Sequence, residues 1–126
     1  MQKVDIRAQL KDSSLFKEAA FISGQWLDSK TTFVVNNPAN DEVIANVANL
    51  ATTDAELAIT AAEKALPAWR SKLAKERAQI MCKWFDLIIA NTQDLATLMT
   101  LEQGKPLAEA AGEVAYGASF VEWFAE

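Results

Sequence analysis

The stretch LMTLEQGKPLAEA, residues 98–110, joins two apolar runs that both recur at helical spacing. Gly104 suits the left-handed residue that follows a helix, and Pro106 suits the first turn of the next one. The stretch therefore predicts two helices with a tight connection between them. Glu102 breaks a local rule, because a carboxylate in the last turn of a helix faces the negative end of the helix dipole. That arrangement costs up to about 1 kcal/mol, so something is expected to offset it.

Two more helices are predicted upstream, because the period of the apolar residues becomes helical after residue 51. Thr53 and Glu56 have the spacing of a capping box, so the first helix should begin there. Pro67 should end or kink this helix near Leu66, since proline cannot donate to the helical ladder.

The next helix is expected in KERAQIMCKWFDLIIAN, residues 75–91. Cys82 lies on its apolar side and could be a nucleophile, but no histidine is present to activate it. A buried structural thiol is the favoured interpretation. Asn91 or Thr92 should cap a third helix that runs to Gly104.

Residues 1–50 alternate short β-type runs with turn signals. The runs AAFISGQWL, TTFVV and EVIANVANL predict small antiparallel strands. Turns are expected at Ser23-Gly24 and at residues 36–41, where Pro38 fixes the backbone. The chain as a whole is therefore predicted to be α+β, with small antiparallel strands followed by about four helices.

The last segment, PLAEAAGEVAYGASFVEWFAE, predicts a helix that is apolar nearly all round. One stripe contains Leu107, Ala110, Ala111, Val114, Ala118 and Val121, and the other side carries Tyr116, Phe120, Trp123 and Phe124. Such a helix is usually buried, since each large side chain gains roughly 1.5 to 3 kcal/mol on burial. We therefore expect the chain to be the front end of a longer protein that covers this helix. Trp26, Trp69, Trp84 and Trp123 are expected to be core or interface anchors.

Composition and charge exclude several classes of function. The net charge of −5 and the absence of a basic run argue against nucleic-acid binding. No segment approaches the roughly 20 apolar residues of a membrane span, and the start lacks a signal peptide, so a cytoplasmic location is expected. One cysteine and no histidine exclude a disulfide framework, a Cys/His zinc site and a local Ser-His pair.

Six segments in order resemble the amino-terminal quarter of the aldehyde dehydrogenase superfamily, from about residue 14 onward. They are FISGQWLDS, NNPANDEVIANV, ALPAWR, ERAQIMCKWFDLI, LMTLEQGKPLAEA and GEVAYGASFVEWFAE. Within the superfamily, these segments are most similar to those of the bacterial succinate-semialdehyde dehydrogenases. Related semialdehyde and betaine aldehyde enzymes share a segment similar to EQGKP. The segments therefore indicate the superfamily more specifically than the branch within it.

The resemblance implies an α/β parent enzyme that oxidises a small aldehyde to an acid with NAD or NADP, as a homodimer or homotetramer. In this family a cysteine thiolate attacks the carbonyl, hydride passes to the coenzyme, and a glutamate activates the hydrolytic water. The resemblance places all of these residues downstream of Glu126, and Cys82 does not match the nucleophile's motif. Residues 1–126 would be the amino-terminal part of the coenzyme-binding domain, with strands in 1–50 and a helical layer in 51–126. The piece alone should be inactive.

The resemblance also implies two kinds of site within this chain. A structural monovalent cation would be held by the Glu102 carboxylate and the main-chain carbonyls of Val35 and Asn36. Tyr116 would lie at the substrate entrance, although a packed core tyrosine is an equally good interpretation. A solvated Glu102 in a helix-stop loop is the alternative to the cation site. A salt bridge from Glu102 to Lys105 would contribute little, because Lys105 is expected to be exposed.

The remaining acidic pair has a simple interpretation. Glu109 and Glu113 are four residues apart near a predicted helix start, where a solvated or capping role is expected. Two other classes of function stay open for the chain: a helical protein-interaction module that uses the aromatic face of the last helix, and a non-catalytic structural remnant. Neither would require a nucleophile.

Overall fold

The computed structural model describes residues 5–126. Two short 3₁₀ turns come first, at Arg7–Gln9 and Ser13–Leu15. The strands and helices that follow are β1 Ala20–Ile22, β2 Gln25–Leu27, β3 Thr32–Asn36, β4 Val43–Ala48, α1 Thr52–Ser71, α2 Ala74–Ala90, α3 Thr92–Gln103 and α4 Leu107–Ala125. The prediction of an α+β chain, with small strands followed by about four helices, is confirmed.

The first hairpin pairs β1 with β2 antiparallel, so that Phe21 lies opposite Trp26. Ser23 and Gly24 connect the strands with positive φ angles of 54° and 78°. A two-residue hairpin turn with both central residues at positive φ matches the right-handed twist of its strands. The turn predicted at Ser23-Gly24 is therefore confirmed.

The second hairpin pairs β3 with β4, and its register shifts at the end of β3. Val35 pairs with Ala45, whereas Asn36 pairs with Val43, so Ile44 is an additional residue on β4. Such an irregularity bends a strand and re-aims its side chains. Here Ile44 and Ala45 are both buried, so the shift lets two consecutive residues of β4 enter the core.

Two separate hydrophobic clusters hold the chain together. The first consists of Ile6, Leu10, Phe16, Ile44 and Ala45, with Val35, Val47, Leu98 and Leu101 packed against it. The second consists of Ala96, Ala110 and Val114, with Ile88, Leu95, Met99 and Ala111 packed against it. Helix α3 contributes to both clusters and so joins the strand region to the helical region.

The start and end of α1 differ from the predictions. The helix begins at Thr52, and the Asp54 carboxylate accepts a 2.8 Å hydrogen bond from the Ala51 N–H. The capping pair Thr53 and Glu56 was therefore predicted two residues too late. The helix also does not end at Leu66, because it runs through Pro67 to Ser71. Proline costs one ladder bond, and at an exposed position near a helix end water can satisfy the carbonyl that loses its partner.

The prediction that Cys82 is a buried thiol is wrong, because Cys82 is exposed. Helix α2 packs mainly against α4. Only a narrow stripe of α2, including Ala78, Met81, Phe85 and Ile88, is partly covered by this packing. Cys82 lies beside that stripe, so the apolar face seen in the sequence is wider than the face that is covered.

Across residues 5–126, none of the helices has the length and apolar character that crossing a membrane requires.

Candidate functional site at the connection between α3 and α4

The connection after α3 closes the helix as the sequence predicted. Gly104 has a φ of 77°, and its N–H donates a 2.8 Å hydrogen bond to the Thr100 carbonyl. Pro106 departs slightly from the prediction, since it precedes α4 instead of lying in its first turn. A Cβ added to Gly104 would lie 3.0 Å from the Pro38 Cγ. The end of α3 is therefore seated directly against the turn that follows β3.

Glu102, Val35 and Asn36 all lie next to this contact. Glu102 is exposed in the last turn of α3, and within residues 5–126 it makes no hydrogen bond or ion pair. Val35 is partly buried and packs against the first cluster, while Asn36 is exposed at the end of β3. The described residues contain no group of three or more His, Cys, Asp or Glu side chains that could hold a metal ion. A cation here would depend on main-chain carbonyls in addition to Glu102.

Lys105 is engaged by a residue other than Glu102. Its Nζ lies 2.6 Å from Glu113 Oε1 on α4. The Lys105 side chain is only 23% exposed and that of Glu113 is 48% exposed. The expectation of an exposed Lys105 is therefore wrong, because the lysine folds back over the first turns of α4. Glu109 and Glu113 are both exposed, as a solvated role requires, and Glu113 in addition pairs with Lys105.

Tyr116 lies one turn beyond Glu113 on α4 and is 63% exposed. Its ring meets the Phe120 ring edge to face, with 5.0 Å between the centroids. A cavity of about 360 Å³ is lined by Lys105, Glu109, Gly112, Glu113 and Tyr116. Within residues 5–126, Tyr116 is therefore not packed in a core, and both interpretations of its role stay predictions.

Helix α4 presents small residues to the core and large ones to the outside. Ala110, Val114 and Ala118 are buried, as the predicted stripe requires, but Leu107 is exposed. The four aromatic residues of the other side, Tyr116, Phe120, Trp123 and Phe124, are all exposed. None of the four tryptophans is a core residue, since Trp26, Trp84 and Trp123 are exposed and Trp69 is partly buried. Within residues 5–126 the tryptophans are therefore not core anchors, and their role as interface anchors stays a prediction.

Asp94 is an important residue that sequence reasoning missed. It is 4% exposed, and its carboxylate accepts hydrogen bonds of 3.0 Å from the Lys11 N–H and 2.8 Å from the Asp12 N–H. These bonds fasten the amino-terminal segment to the first turn of α3. An acidic residue in the first turn of a helix can be recognised from the sequence. Its hydrogen-bond partners lie some 80 residues away, and nothing in the sequence marks them.

The described residues do not form a dinucleotide-phosphate site. Such a site needs a glycine-rich turn between a strand and a helix. The strand-to-helix junction here, from β4 to α1, is made by Asn49, Leu50 and Ala51. Both sheets are two-stranded and antiparallel, whereas the dinucleotide fold is built on parallel strands.

Comparison with known proteins identifies the family. The model of the aldehyde dehydrogenase family matches residues 26–126, which is most of the chain. The chain belongs to the aldehyde dehydrogenase family. It is 58% identical to a glutarate-semialdehyde dehydrogenase of Pseudomonas putida over 120 residues. It is 52% identical to the NADP(+) succinate-semialdehyde dehydrogenase GabD of Escherichia coli, also over 120 residues.

The match covers most of this chain but a small part of each relative. It extends over 94% of the chain and 25% of each of these two enzymes. Among solved structures, the succinate-semialdehyde dehydrogenase from Burkholderia pseudomallei superposes with a TM-score of 0.88 at 51% identity, covering 92% of this chain and 24% of that one. The chain thus spans about a quarter of the length of the relatives that it matches, and its fold is that of the corresponding part of these enzymes.

Proposed function

We propose that residues 1–126 are the amino-terminal part of the coenzyme-binding domain of an NAD(P)-dependent enzyme. The enzyme oxidises succinate semialdehyde, or a similar small aldehyde, to the acid. The observation that carries this proposal is the identity of 58% and 52% to enzymes named for glutarate and succinate semialdehydes. When bound, the coenzyme accepts the hydride that leaves the aldehyde carbon. The name of the Escherichia coli relative includes NADP(+), which supports NADP as one of the two candidate coenzymes.

In this proposal the chain supports and shapes the enzyme, and its own residues perform no step of the oxidation. Cys82 is exposed on α2, and the sequence contains no histidine that could activate it. Cys82 also lies outside the cavity beside Tyr116. The exposed aromatic face of α4 would then pack against the remainder of the enzyme. The alternative, a helical interaction module, would use the same face for a separate partner.

The deciding experiment compares two polypeptides: residues 1–126 alone and the full product of the gene that contains them. With succinate semialdehyde and either coenzyme, we expect NAD(P)H to form only with the full product. A gene that ends at codon 126, or a folded full product without aldehyde oxidation, would overturn the proposal. Turnover by residues 1–126 alone would refute the supporting role of this part.

We propose that Tyr116 lines the aldehyde entrance of the full enzyme. Support comes from its exposure and from the cavity of about 360 Å³ that it borders. Tyr116→Ala should change the ranking of aldehydes by kcat/KM, since a wall residue contacts some substrates more than others. An equal fall in kcat/KM for all aldehydes would instead indicate a packing role.

We further propose that Glu102, together with the carbonyls of Val35 and Asn36, holds a structural monovalent cation. Support comes from the seating of Gly104 against Pro38 and from the Glu102 carboxylate, which lacks a protein partner within the described part of the chain. Potassium or sodium should then raise the melting temperature of the full enzyme relative to a bulky organic cation at equal ionic strength. Glu102→Gln should remove most of that difference, and an unchanged cation dependence would exclude Glu102 as a ligand.

The assembly and location of the enzyme are proposals as well. We propose a homodimer or homotetramer, as the family resemblance implies, and a cytoplasmic location, as the sequence analysis predicts. Sedimentation of the full enzyme would distinguish the two assemblies.

A further inference from the structure

The cavity beside Tyr116 contains an arrangement of charges that the family match does not assign. Its walls carry one lysine and two glutamates, Lys105, Glu109 and Glu113, so their formal net charge is negative. The positive charge of the lysine is offset by a neighbouring carboxylate, because its Nζ lies 2.6 Å from Glu113 Oε1. The cavity therefore contains a cation that its own neighbour neutralises.

The ion pair is held in place by the fold on both sides. Lys105 lies between Gly104, which is seated against Pro38, and Pro106, which immediately precedes α4. Glu113 is on α4 one turn before Tyr116, and Tyr116 is in turn packed against Phe120. The charged side chains and the tyrosine thus line one continuous wall. A change in one of these charges would alter the electrostatic potential beside Tyr116.

We propose that the Lys105–Glu113 ion pair is a charge-selecting element of the aldehyde entrance. Glu113 weakens the attraction of the Lys105 ammonium for the carboxylate of an anionic semialdehyde, and Glu109 adds a repelling charge to the same wall. The pair thereby sets how strongly the enzyme prefers carboxylate-bearing aldehydes over neutral ones. This inference rests on the proposed function, because it assumes that aldehydes pass Tyr116.

The test uses the full enzyme and two four-carbon aldehydes, succinate semialdehyde and butanal, which differ in the terminal carboxylate. The measured quantity is the selectivity, defined as kcat/KM for succinate semialdehyde divided by kcat/KM for butanal. Removing one charge within roughly 8 Å of a carboxylate should change this ratio by about three- to tenfold. Lys105→Gln should lower the selectivity, whereas Glu113→Gln and Glu109→Gln should each raise it.

The double variant Lys105→Gln/Glu113→Gln separates charge from structure. It removes one positive and one negative charge, so its selectivity should return close to the wild-type value and the single-variant effects should cancel. High salt should shrink the single-variant effects, because it screens exposed charges. Lys83→Gln is the matched control, since it deletes the same charge at an exposed position of α2 that does not line the cavity.

The outcomes distinguish this inference from the proposed function. Charge variants that alter kcat/KM for both aldehydes by the same factor would overturn the inference and leave a structural ion pair. Tyr116→Ala could change the ranking of aldehydes while the charge variants leave the selectivity unchanged. That result would support Tyr116 as a residue of the entrance and would overturn the proposed charge selection. A folded wild-type enzyme that oxidises neither aldehyde would overturn the proposed function, and the inference with it.

Discussion

The strand region and the helical region of this chain bury opposite kinds of side chain. The first cluster, in the strand region, is made by large residues such as Ile6, Phe16 and Ile44. The second cluster is made mainly by small ones, with Ala96, Ala110 and Val114 fully or nearly covered. In the helical region the large aromatic residues of α4 stay outside. The first cluster thus buries large side chains, although Phe21, Trp26 and Phe33 of the strands are exposed, whereas the buried side chains of the second cluster are mostly small.

The same difference is visible helix by helix. Neither α1 nor α2 contains a buried residue, although both are amphipathic in sequence. Helices α3 and α4 approach each other closely because alanines lie between them, and that leaves no room for larger residues at the contact. The contact between α3 and α4 therefore buries little apolar area. We expect the first cluster to contribute more to the stability of the chain.

The largest expected effect comes from a matched pair of phenylalanines. Phe16 is 6% exposed in the first cluster, whereas Phe124 is 72% exposed on α4. Phe16→Ala should lower the free energy of unfolding by about 3 kcal/mol, since it removes buried area and leaves a cavity. Phe124→Ala should change it by about 0.5 kcal/mol or less. Urea unfolding of both variants measures the difference, and equal losses would break the contrast between the two regions.

A smaller effect is expected at Asp94, whose hydrogen bonds attach the amino-terminal segment to α3. Asp94→Ala leaves the N–H groups of Lys11 and Asp12 without their buried acceptor, which should cost about 2 kcal/mol. Hydrogen exchange of these two amides should accelerate more than exchange in α4. Asp86→Ala, at an exposed position of α2, is the control. Unchanged protection at Lys11 and Asp12 would show that the segment is held by its apolar residues alone.

Two glycines should respond with opposite signs to the same substitution. Gly104→Ala forces a left-handed residue and places a Cβ 3.0 Å from Pro38 Cγ, so it should destabilise the chain by about 1 to 2 kcal/mol. At Gly117, in the middle of α4, a Cβ meets nothing within 4 Å. Gly117→Ala should therefore stabilise the chain by about 0.5 to 1 kcal/mol. Thermal unfolding of both variants decides this, and a stabilising Gly104→Ala would refute the seating against Pro38.

The smallest expected effect concerns acid. Hydrogen bonding by Ser14 holds the pKa of Asp12 below its ordinary value of 3.8, and Lys17 contributes in the same direction. The unfolded chain therefore binds the proton at higher pH, so Asp12 stabilises the fold above pH 3.8 and loses this contribution as the pH falls through the folded-state pKa. Asp12→Asn should lower stability slightly at neutral pH, and the difference from wild type should vanish in strong acid.

Asp28→Asn provides the comparison for that acid titration. Asp28 is exposed and accepts no hydrogen bond within residues 5–126. Asp28→Asn should therefore leave the free energy of unfolding at neutral pH close to that of the wild type. A pH-independent loss in Asp12→Asn would point to the hydrogen bond itself and away from proton linkage.

Features encoded by neighbouring residues could be predicted from the sequence. The turn at Ser23-Gly24 and the left-handed Gly104 follow from backbone chemistry that involves only a few adjacent residues. The buried stripe of α4 follows from its period. Family resemblance supplied the identity of the enzyme, which no local pattern contains.

Features that depend on which surfaces meet could not be predicted in this way. Cys82 was placed in a core because its neighbours are apolar, but only the packing partner decides which part of an apolar face is covered. The partner of Lys105 lies eight residues away across a bend whose geometry the sequence does not specify. Asp94 accepts hydrogen bonds from main-chain N–H groups. The sequence cannot single these donors out, because every residue except proline carries one.

The Asp94 contact also has a consequence for the order in which the chain folds as it leaves the ribosome. Lys11 and Asp12 precede Asp94 by 83 and 82 residues, so their segment is synthesised before α3 and must wait for it before it can dock. Closing so long a loop costs entropy that nearby contacts do not, and such contacts form late. Residues 5–16 should therefore be exposed to chaperones and proteases during synthesis, although Ile6, Leu10 and Phe16 are buried in the first cluster of the folded chain.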